Sequence, residues 1–335
     1  MEEDLVTRQN IPFKGIPAAG VHGVGFRTLP RNLWRLACGT FAARKIIRDF
    51  HPDVILFTGG YVAAPIAVAS GSVPKLLYVP DIEPGMALKF LSHFADRIAV
   101  TIEESRIYFK SSKPVVVTGY PTRPDLAHWT AEDGRNQFGL TVDKPVLLVL
   151  GGSKGARSIN QALQAILPRL LEITQVIHLT GMTNWTEIEK TKSHLPTGLQ
   201  PDYHPFPYLH EEMGAALACA NLVVARAGAS ALGEFPLFGL PAVLVPYPHA
   251  WRYQKVNADY LVRAGAAEMV PDAEMNTQLL PTLQRLLKDK DALSSMRQAM
   301  QIIATPDASL AIAKQLHDLV LPSASEGNRR ENKPC

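Results

Sequence analysis

The stretch PVLLVLGGSKGARSINQAL, residues 145–163, decides the fold. It begins with an apolar run of strand length, turns at Gly151, Gly152 and Gly155, and continues with the apolar spacing of a helix. The glycines allow a tight turn and a close approach of the backbone, and the helix offers unpaired N–H groups and the positive end of its dipole. The stretch predicts a strand, a turn suited to a diphosphate and a helix, although such a turn is as often purely structural.

The order of residues in the turn narrows the ligand. The turn lacks the G-x-G-x-x-G order of a dinucleotide site, and it lacks the G-K-[ST] ending of an ATP-binding phosphate loop. Neither a dinucleotide nor ATP is therefore the expected ligand.

Short apolar runs alternate with helical segments on both sides of this stretch. The predicted strands are DVILFTGG, KLLYVP, RIAV and VVVTGYP before it, and TQVIHLTG, NLVVARAG, PAVLVPYP and AAEMVP after it. Such alternation predicts parallel sheets wrapped by helices, and 335 residues are enough for two domains. We predict an α/β protein with two Rossmann-like parallel-sheet domains that face a cleft, where such sheets bind ligands. The predicted units are an N-terminal domain over 1–127, a C-terminal domain over 143–320 and a disordered tail over 321–335.

The composition excludes several classes of protein. Lys and Arg number 34 against 31 Asp and Glu, a net charge of +3 that is too balanced for a general nucleic-acid binder. The three cysteines have neither metal-ligand nor redox spacing, which fits a reducing compartment. No run approaches the ~20 apolar residues of a membrane-spanning helix, and the acidic start differs from a signal peptide. We expect a protein in the cytoplasm or on a membrane surface.

A second stretch, residues 225–261, carries further candidate residues. It begins as a strand, turns at Gly228 and predicts another helix N-terminus one turn before Glu234. A carboxylate there can accept two hydrogen bonds from the hydroxyls of a ribose, or it can merely favour the helix dipole. Gln254 and Asn257 share one face of the next predicted helix and are candidates to hold a sugar, although such amides are usually just solvated.

Six short motifs occur in a fixed order: FTGGYVAAP, TGYPTRP, GGSKGARSIN, RAGAS followed by GE, GLPAVLVPYPH and YQKVNA. Together they resemble the MurG family, the peptidoglycan GlcNAc transferases of the two-domain glycosyltransferase-B fold, from about Met1 to about Val320. The resemblance implies inverting transfer of GlcNAc from UDP-GlcNAc to an undecaprenyl-diphosphate-linked muramoyl-pentapeptide. It further implies a peripheral enzyme on the cytoplasmic face of the cell membrane, acting in cell wall synthesis, cell shape and cell division.

The resemblance also implies a donor site in the C-terminal domain. The ribose would bind Glu234, the GlcNAc would bind Tyr253 and Gln254, His210 would lie near the uracil, and Arg123 would reach the donor from the domain junction. Ser153 and the backbone of residues 229–231 would hold the phosphates, with no cofactor or metal ion. The predicted substrate-binding residues are Arg123, Gly152, Ser153, Gly155, His210, Gly228, Ala229, Ser230, Ala231, Glu234, Tyr253, Gln254 and Asn257.

The sequence departs from the family pattern at several places. The family begins with a strand and a G-G-T-G-G-H-type loop whose histidine is the usual candidate base. This sequence lacks both, so either its start was assigned too far downstream, which we favour, or the acceptor loop has been lost. We expect poor transfer by the chain as written. Asp81 stands where the family has a donor-contacting asparagine, and Ala231 stands where a threonine is common. Asp81 is a weak candidate base, and capping of its own turn is at least as good an interpretation.

Two further segments bear on partners. Residues 27–48 form a basic amphipathic stretch of the kind that rests on anionic lipid, with LKFLSHF at 88–94 as a second candidate contact. The D-x-D pair of Asp289 and Asp291 is interpreted as a solvated helix face rather than a metal site. The alternatives are another glycosyltransferase-B enzyme that moves a UDP-sugar to a lipid, a UDP-GlcNAc 2-epimerase, or an inactive UDP-sugar-binding homologue.

Overall fold

Two parallel β-sheets organise the chain in a computed structural model, which describes residues 2–8, 10–20, 25, 27–109, 113–152, 155–248 and 251–321. The first sheet has the order β1-β2-β3-β4, and the second has the order β10-β9-β8-β5-β6-β7. All of the pairings are parallel, which confirms the predicted fold class. The strands are β1 Ile55–Phe57, β2 Lys75–Val79, β3 Arg97–Val100, β4 Val115–Val117, β5 Val146–Leu150, β6 Gln175–Leu179, β7 Tyr203–Phe206, β8 Leu222–Ala225, β9 Ala242–Leu244 and β10 Ala267–Met269.

Helices connect the strands and cover both sheets. The α-helices are α1 Glu2–Thr7, α2 Leu29–Phe50, α3 Ala63–Ala69, α4 Met86–Ser92, α5 Ala131–Phe138, α6 Arg157–Leu171, α7 Trp185–Ile188, α8 Thr191–His194, α9 Met213–Cys219, α10 Glu234–Phe238, α11 Trp251–Arg263, α12 Met275–Lys288, α13 Lys290–Ile302 and α14 Ala308–Val320. Short 3₁₀ helices lie at Glu103–Tyr108, Pro124–His128, Met182–Asn184, Gln200–Asp202, Ala229–Leu232 and Asp272–Glu274.

The second sheet has a reversal of strand order beside β5. The chain adds β6 and β7 on one side of β5, then returns to add β8, β9 and β10 on the other side. Leu150 at the end of β5 pairs with Ala225 at the end of β8, so the loops after these two strands lie side by side. This is the position at which open α/β sheets bind ligands.

Apolar clusters fill both faces of the second sheet. One face includes Leu148, Val223 and Phe235, and the other includes Leu147, Val224 and Leu283, all nearly inaccessible to solvent. Burial on both faces explains why these strands read as continuous apolar runs rather than as alternating ones.

The last helix returns to the first sheet. Ile312 of α14 is 7% exposed and packs with Leu76, Tyr78 and Ala99 on one face of that sheet. The sequence-based bounds had grouped residues 308–320 with the C-terminal domain, whereas their packing is with the N-terminal sheet. The predicted tail over 321–335 lies outside the described residues after Leu321.

The stretch between the sheets contains a helix. The Thr130 side chain accepts a hydrogen bond from the Asp133 amide at 3.1 Å, and Asp133 accepts one from the Thr130 amide at 3.2 Å, a reciprocal cap that begins α5. A Cβ on Gly134 would lie 2.3 Å from the Ala215 carbonyl, so α5 packs tightly on α9. Part of the polar segment predicted as a connector therefore forms a helix that packs in the second domain.

Two segments cross between the sheets at one point. A Cβ on Gly119 would lie 2.3 Å from the Thr305 hydroxyl, and Gly119 has a φ of +84°. The segment after β4 therefore contacts the segment before α14 at Gly119. Only a residue without a side chain fits at this position.

Helix α2 has one buried stripe and a large exposed face. Gly39 and Ala43 are buried, while Trp34 and Phe41 are 71% and 70% exposed. Within the described part of the chain, no helix combines the length and apolar character needed to cross a bilayer.

Candidate donor-binding site

A cavity of about 850 Å³ lies at the switch point of the second sheet. It is built from the loops after β5, β8 and β9, the first turn of α6 and the helix α11. The residues that line it are Leu150, Gly151, Gly152, Gly155, Ala156, Arg157, Ser158, Gln161, Arg226, Gly228, Ser230, Phe235, Tyr247, Pro248, Gln254 and Asp272. Five predicted site residues, Gly152, Gly155, Gly228, Ser230 and Gln254, are among them.

The glycine turn brings the backbone against the sheet. Gly152 and Gly155 have φ angles of +81° and +77°, and a Cβ on Gly155 would lie 2.2 Å from the Thr180 carbonyl. Helix α6 then begins at Arg157 without a side-chain cap, so its first-turn N–H groups lack helical partners beside the cavity. This geometry suits an anion. Ser153 lies outside the described residues, as does Lys154.

The second predicted helix N-terminus is shorter than expected. Residues Ala229–Leu232 form a 3₁₀ turn with Gly228 at its N-cap, and Glu234 opens the five-residue helix α10. Ala231 is 1% exposed and packs in the apolar cluster, and its amide donates to the Gly228 carbonyl at 3.0 Å. The Ala231 side chain therefore belongs to the core, and it is not among the residues that line the cavity.

Glu234 is a mostly buried carboxylate. Burial raises the pKa of its carboxyl group, and the positive charge of Arg123 opposes that rise. Burial, followed by the negative charges of Glu234 and Asp81, raises the pKa of Tyr120 to about 12. Tyr120 packs against Gly233, where a Cβ would lie 2.5 Å from its ring. Glu234 therefore lies where the two domains meet, within reach of the positive charge of Arg123.

Arg123 and His210 meet through the backbone. The Arg123 Nη2 group donates to the His210 carbonyl at 3.3 Å, and its Nη1 group lies 3.5 Å from Asp125 Oδ2. The His210 ring is exposed and contacts the Tyr208 ring at 4.6 Å between centroids. The structure thus brings these two predicted residues together at the junction, with the His210 ring directed to solvent.

An arginine that the sequence analysis left unassigned organises the cavity wall. Arg226 Nη1 lies 2.5 Å from Asp272 Oδ1, and Nη2 donates to Ser158 Oγ at 2.7 Å. Its guanidinium lies 5.2 Å from the centre of the Tyr247 ring. Arg226 therefore ties the ends of β8, β9 and β10 to the first turn of α6. The signal for it was its place directly after a buried strand, inside the RAGAS motif.

Gln254 and Asn257 lie on α11, but they face different surroundings. Gln254 Oε1 accepts a hydrogen bond from the Tyr247 amide at 2.8 Å, which turns its NH₂ group away from that loop. Asn257 is fully buried and donates to Asp81 Oδ1 at 2.8 Å and to the Ala227 carbonyl at 3.1 Å. Its Oδ1 accepts from the Ile82 amide at 3.2 Å. A sugar contact through Asn257 would require these bonds to break, so in this arrangement Asn257 joins the domains. Tyr253 is half-buried on the same helix.

The aspartate pair at 289–291 has a structural role. Asp289 Oδ1 accepts from the Ala292 amide at 2.9 Å and caps α13. Among the described residues, no three His, Cys, Asp or Glu side chains form a group that could hold a metal ion.

Comparison with known proteins gives the family. The sequence profiles of the glycosyltransferase family 28 N-terminal and C-terminal domains match residues 1–100 and 146–315. A protein of Roseiflexus sp. (strain RS-1), named UDP-N-acetylglucosamine–N-acetylmuramyl-(pentapeptide) pyrophosphoryl-undecaprenol N-acetylglucosamine transferase, is 40% identical over 96% of this chain and 82% of its own. A protein of Desulforamulus reducens with the same name is 34% identical over 94% of this chain and 86% of its own.

Solved structures agree with the sequence relatives. The crystal structure of Acinetobacter baumannii MurG has a TM-score of 0.72 and 26% identity over 95% of this chain and 88% of its own. The UDP-GlcNAc 2-epimerase of Neisseria meningitidis bound to UDP-GlcNAc has a TM-score of 0.65 but 13% identity over 95% of this chain and 88% of its own, which shows a shared fold alone. The chain belongs to glycosyltransferase family 28 and, within it, to the MurG glycosyltransferases.

Proposed function

We propose that the protein transfers GlcNAc, with inversion, from UDP-GlcNAc to the muramoyl 4-hydroxyl of an undecaprenyl-diphosphate-linked muramoyl-pentapeptide. The observation that carries this proposal is the cavity at the switch point, where the glycine turn, the 3₁₀ turn at 229–232 and Gln254 converge. The names of the two relatives support the choice of donor and acceptor.

The donor is proposed to lie across the loops after β5 and β8. Its diphosphate would meet the first-turn N–H groups of α6 and the N-terminus of the 3₁₀ turn after Gly228. Its ribose hydroxyls would donate to Glu234, and the NH₂ group of Gln254 would contact the GlcNAc. A nearly buried Arg226 would hold these loops in place without moving when the donor binds.

Leaving-group stabilisation is proposed to come from the protein alone. As the bond from the sugar to the diphosphate breaks, negative charge develops on UDP, and backbone N–H groups that already point at it stabilise that charge. We therefore propose that no divalent ion is needed. EDTA should leave UDP-GlcNAc affinity unchanged; a loss that magnesium restores would contradict this proposal.

The acceptor is proposed to reach the site from a membrane surface. Helix α2 exposes Trp34 and Phe41, with Arg35 and Lys45 among the exposed basic residues on the same helix. Met86 and Phe90 of α4 are also exposed. Exposed aromatic and basic side chains of this kind favour the interface of anionic lipid.

A transfer assay tests the function. Purified protein is incubated with UDP-GlcNAc labelled in the sugar and a short-chain muramoyl-pentapeptide diphosphate lipid, for long enough to detect slow turnover. We expect labelled lipid and UDP in equal amounts, with less of both in Glu234→Ala at limiting UDP-GlcNAc and no change in Glu211→Ala, an exposed carboxylate outside the cavity. Release of UDP with formation of the 2-epimer and no labelled lipid would contradict the proposal.

A further inference from the structure

The side chain of Asn257 on α11 forms hydrogen bonds to both domains. Its NH₂ group donates to Asp81 Oδ1 at 2.8 Å and to the Ala227 carbonyl at 3.1 Å, and its Oδ1 accepts from the Ile82 amide at 3.2 Å. Two of these bonds reach the segment after β2, and the third reaches the loop after β8. An amide has two N–H donors, so both donors of Asn257 are used.

The surroundings make these bonds costly to lose. Asn257 is 0% exposed, and the side chain of Ile82 is 2% exposed within the apolar cluster of the second sheet. When a buried amide or carboxylate loses its hydrogen-bond partner, the free-energy cost of its desolvation is no longer offset. Burial raises the pKa of Asp81, and the hydrogen bond from Asn257 opposes that rise by stabilising the carboxylate. The hydrogen bond from Asn257 therefore favours the charged form of Asp81.

The position of these bonds links two parts of the donor site. Gln254 lies one helical turn before Asn257 on α11, and Ala227 immediately precedes Gly228 at the phosphate turn. A second contact between the same elements lies nearby, since Arg252 Nη2 is 2.5 Å from Glu83 Oε1. Because Arg252 is exposed, water partly screens that contact, whereas the Asp81–Asn257 bond is partly buried and its Asn257 side is fully buried.

We propose that Asp81 and Asn257 form an interdomain latch that fixes the donor-binding half against the N-terminal half. In this role Asn257 is a positioning residue: it holds the phosphate turn through Ala227 and the N-terminal domain through Asp81 and Ile82. The effect on transfer rests on the proposed function, whereas the effect on domain coupling does not. A displacement of about 1 Å between reacting groups can cost about 10²-fold in rate, so the latch would act on turnover more than on donor binding.

Substitution of Asp81 and substitution of Asn257 should have different effects. Asp81→Ala removes one of the two bonds across the junction and leaves Asn257 bonded to the Ala227 carbonyl and the Ile82 amide, so it should lower kcat at least tenfold with UDP affinity within about threefold. Asn257→Ala removes all three bonds, so it should also weaken UDP. Both should lower the midpoint of thermal unfolding by about 3–8 °C or split one calorimetric transition into two.

An exchange of the two groups tests the pairing itself. Asp81→Asn keeps an oxygen that can accept from Asn257, so it should restore most of what Asp81→Ala loses. Asn257→Asp places two carboxylates against each other and should be the most damaging single change. The double variant Asp81→Asn, Asn257→Asp should recover at least half of that loss, because the donor and acceptor have changed places. Asp259→Asn is the matched control, because Asp259 is half-buried on the same helix and its ion pair with Lys255, at 2.6 Å, lies within α11.

Calorimetric unfolding, UDP titration and transfer kinetics are measured on the full chain for each variant. The latch is overturned if Asp81→Ala unfolds like the Asp259→Asn control, or if the double variant is no better than Asn257→Asp. It is also overturned if Asp81→Asn loses as much kcat as Asp81→Ala while its unfolding is unchanged, a result that would identify Asp81 as the base. If UDP binds to none of the proteins, the proposed function fails, and the unfolding data still decide the latch.

Discussion

The two sheets differ in how completely they are buried. In the second sheet, β6, β8 and β9 are buried along their whole length, and apolar clusters fill both faces. In the first sheet, the outer strands are partly open: Leu56 of β1 is 40% exposed and Val117 of β4 is 41% exposed. One face of this sheet is covered by α14, which comes from the far end of the described chain.

This difference separates the two tasks of the protein. The second sheet carries its own core together with the glycine turn, Arg226 and Gln254, so donor recognition rests on a self-contained unit. The first sheet takes part of its stability from α14. In the same domain, one side of α2 is exposed to solvent. Changes in the first sheet should therefore alter stability or surface contacts without altering the donor cavity.

The largest expected effect is a loss of stability when the packing of α14 on the first sheet is disrupted. Ile312→Ala should lower the free energy of unfolding by about 2–4 kcal/mol, because it opens a cavity between α14 and the sheet. Affinity for UDP should stay unchanged, since the cavity for the donor lies in the other sheet. Denaturant unfolding and UDP titration measure the two quantities. Leu310→Ala, 70% exposed on the same helix, is the control and should change stability by less than about 0.5 kcal/mol.

The next effect concerns the donor-binding half alone. Glu234→Ala should weaken UDP and uridine alike by about 1–3 kcal/mol, because the proposed bonds from the ribose hydroxyls to a carboxylate are lost. Titration calorimetry measures both ligands. Unchanged affinity for uridine would remove the ribose role, and a loss confined to UDP would shift the role of Glu234 to the phosphates.

A third prediction concerns stability at acid pH, which a buried histidine in the second sheet should limit. His178 is fully buried, bonded through Nδ1 to the Tyr203 hydroxyl at 2.9 Å and through Nε2 to Asn160 Oδ1 at 3.0 Å. Burial lowers its pKa from 6.5 to about 3, so the unfolded chain binds this proton at a higher pH than the folded chain. The contribution of His178 to the free energy of unfolding is fully present above pH 6.5. It is lost as the pH falls towards 3, by up to about 1.4 kcal/mol per pH unit.

Denaturant unfolding of wild type and His178→Gln between pH 7 and pH 4 checks the slope. The variant should start less stable but lose stability less steeply below pH 6.5. His317→Gln, whose side chain is 71% exposed, is the control. Parallel slopes for wild type and His178→Gln would show that the buried imidazole does not set the acid limit.

The smallest effect on stability should come from the exposed face of α2. Replacing Trp34 and Phe41 with Ser should change the free energy of unfolding by less than about 0.5 kcal/mol for each residue. The same change should reduce binding to vesicles that contain anionic phosphatidylglycerol, measured by co-sedimentation. Val142→Ser, 89% exposed in the other domain, is the matched control. Equal sedimentation of both proteins would show that this face does not contact lipid.

The sequence predicted most of the second sheet because its strands are continuous apolar runs. The exception is β7, Tyr203–Phe206, which contains His204 and Pro205 and lies at the edge of the sheet. A proline removes a backbone donor and is tolerated at an edge, so neither composition nor periodicity marks such a strand. The short helix α5 was missed for a similar reason, since its polar residues read as a connector.

The candidate site was predictable where a local turn determines it. Gly152, Gly155 and Gly228 lie in the loops that follow β5 and β8, and the position of these loops at the carboxyl ends of neighbouring strands brings them together. Asn257 shows the opposite case. Its spacing from Gln254 identified a shared helix face, but its bond to Asp81 depends on how two domains pack, which residue spacing along one helix does not encode.

The return of α14 to the first sheet also sets an order of events during synthesis. Leu76, Tyr78 and Ala99 leave the ribosome long before Ile312, the side chain that covers them. All six strands of the second sheet are made in the interval, so that sheet can assemble while one face of the first still lacks its cover. A nascent chain at this stage presents an apolar surface to chaperones or to other nascent chains. Any truncation before residue 308 would make that temporary exposure permanent.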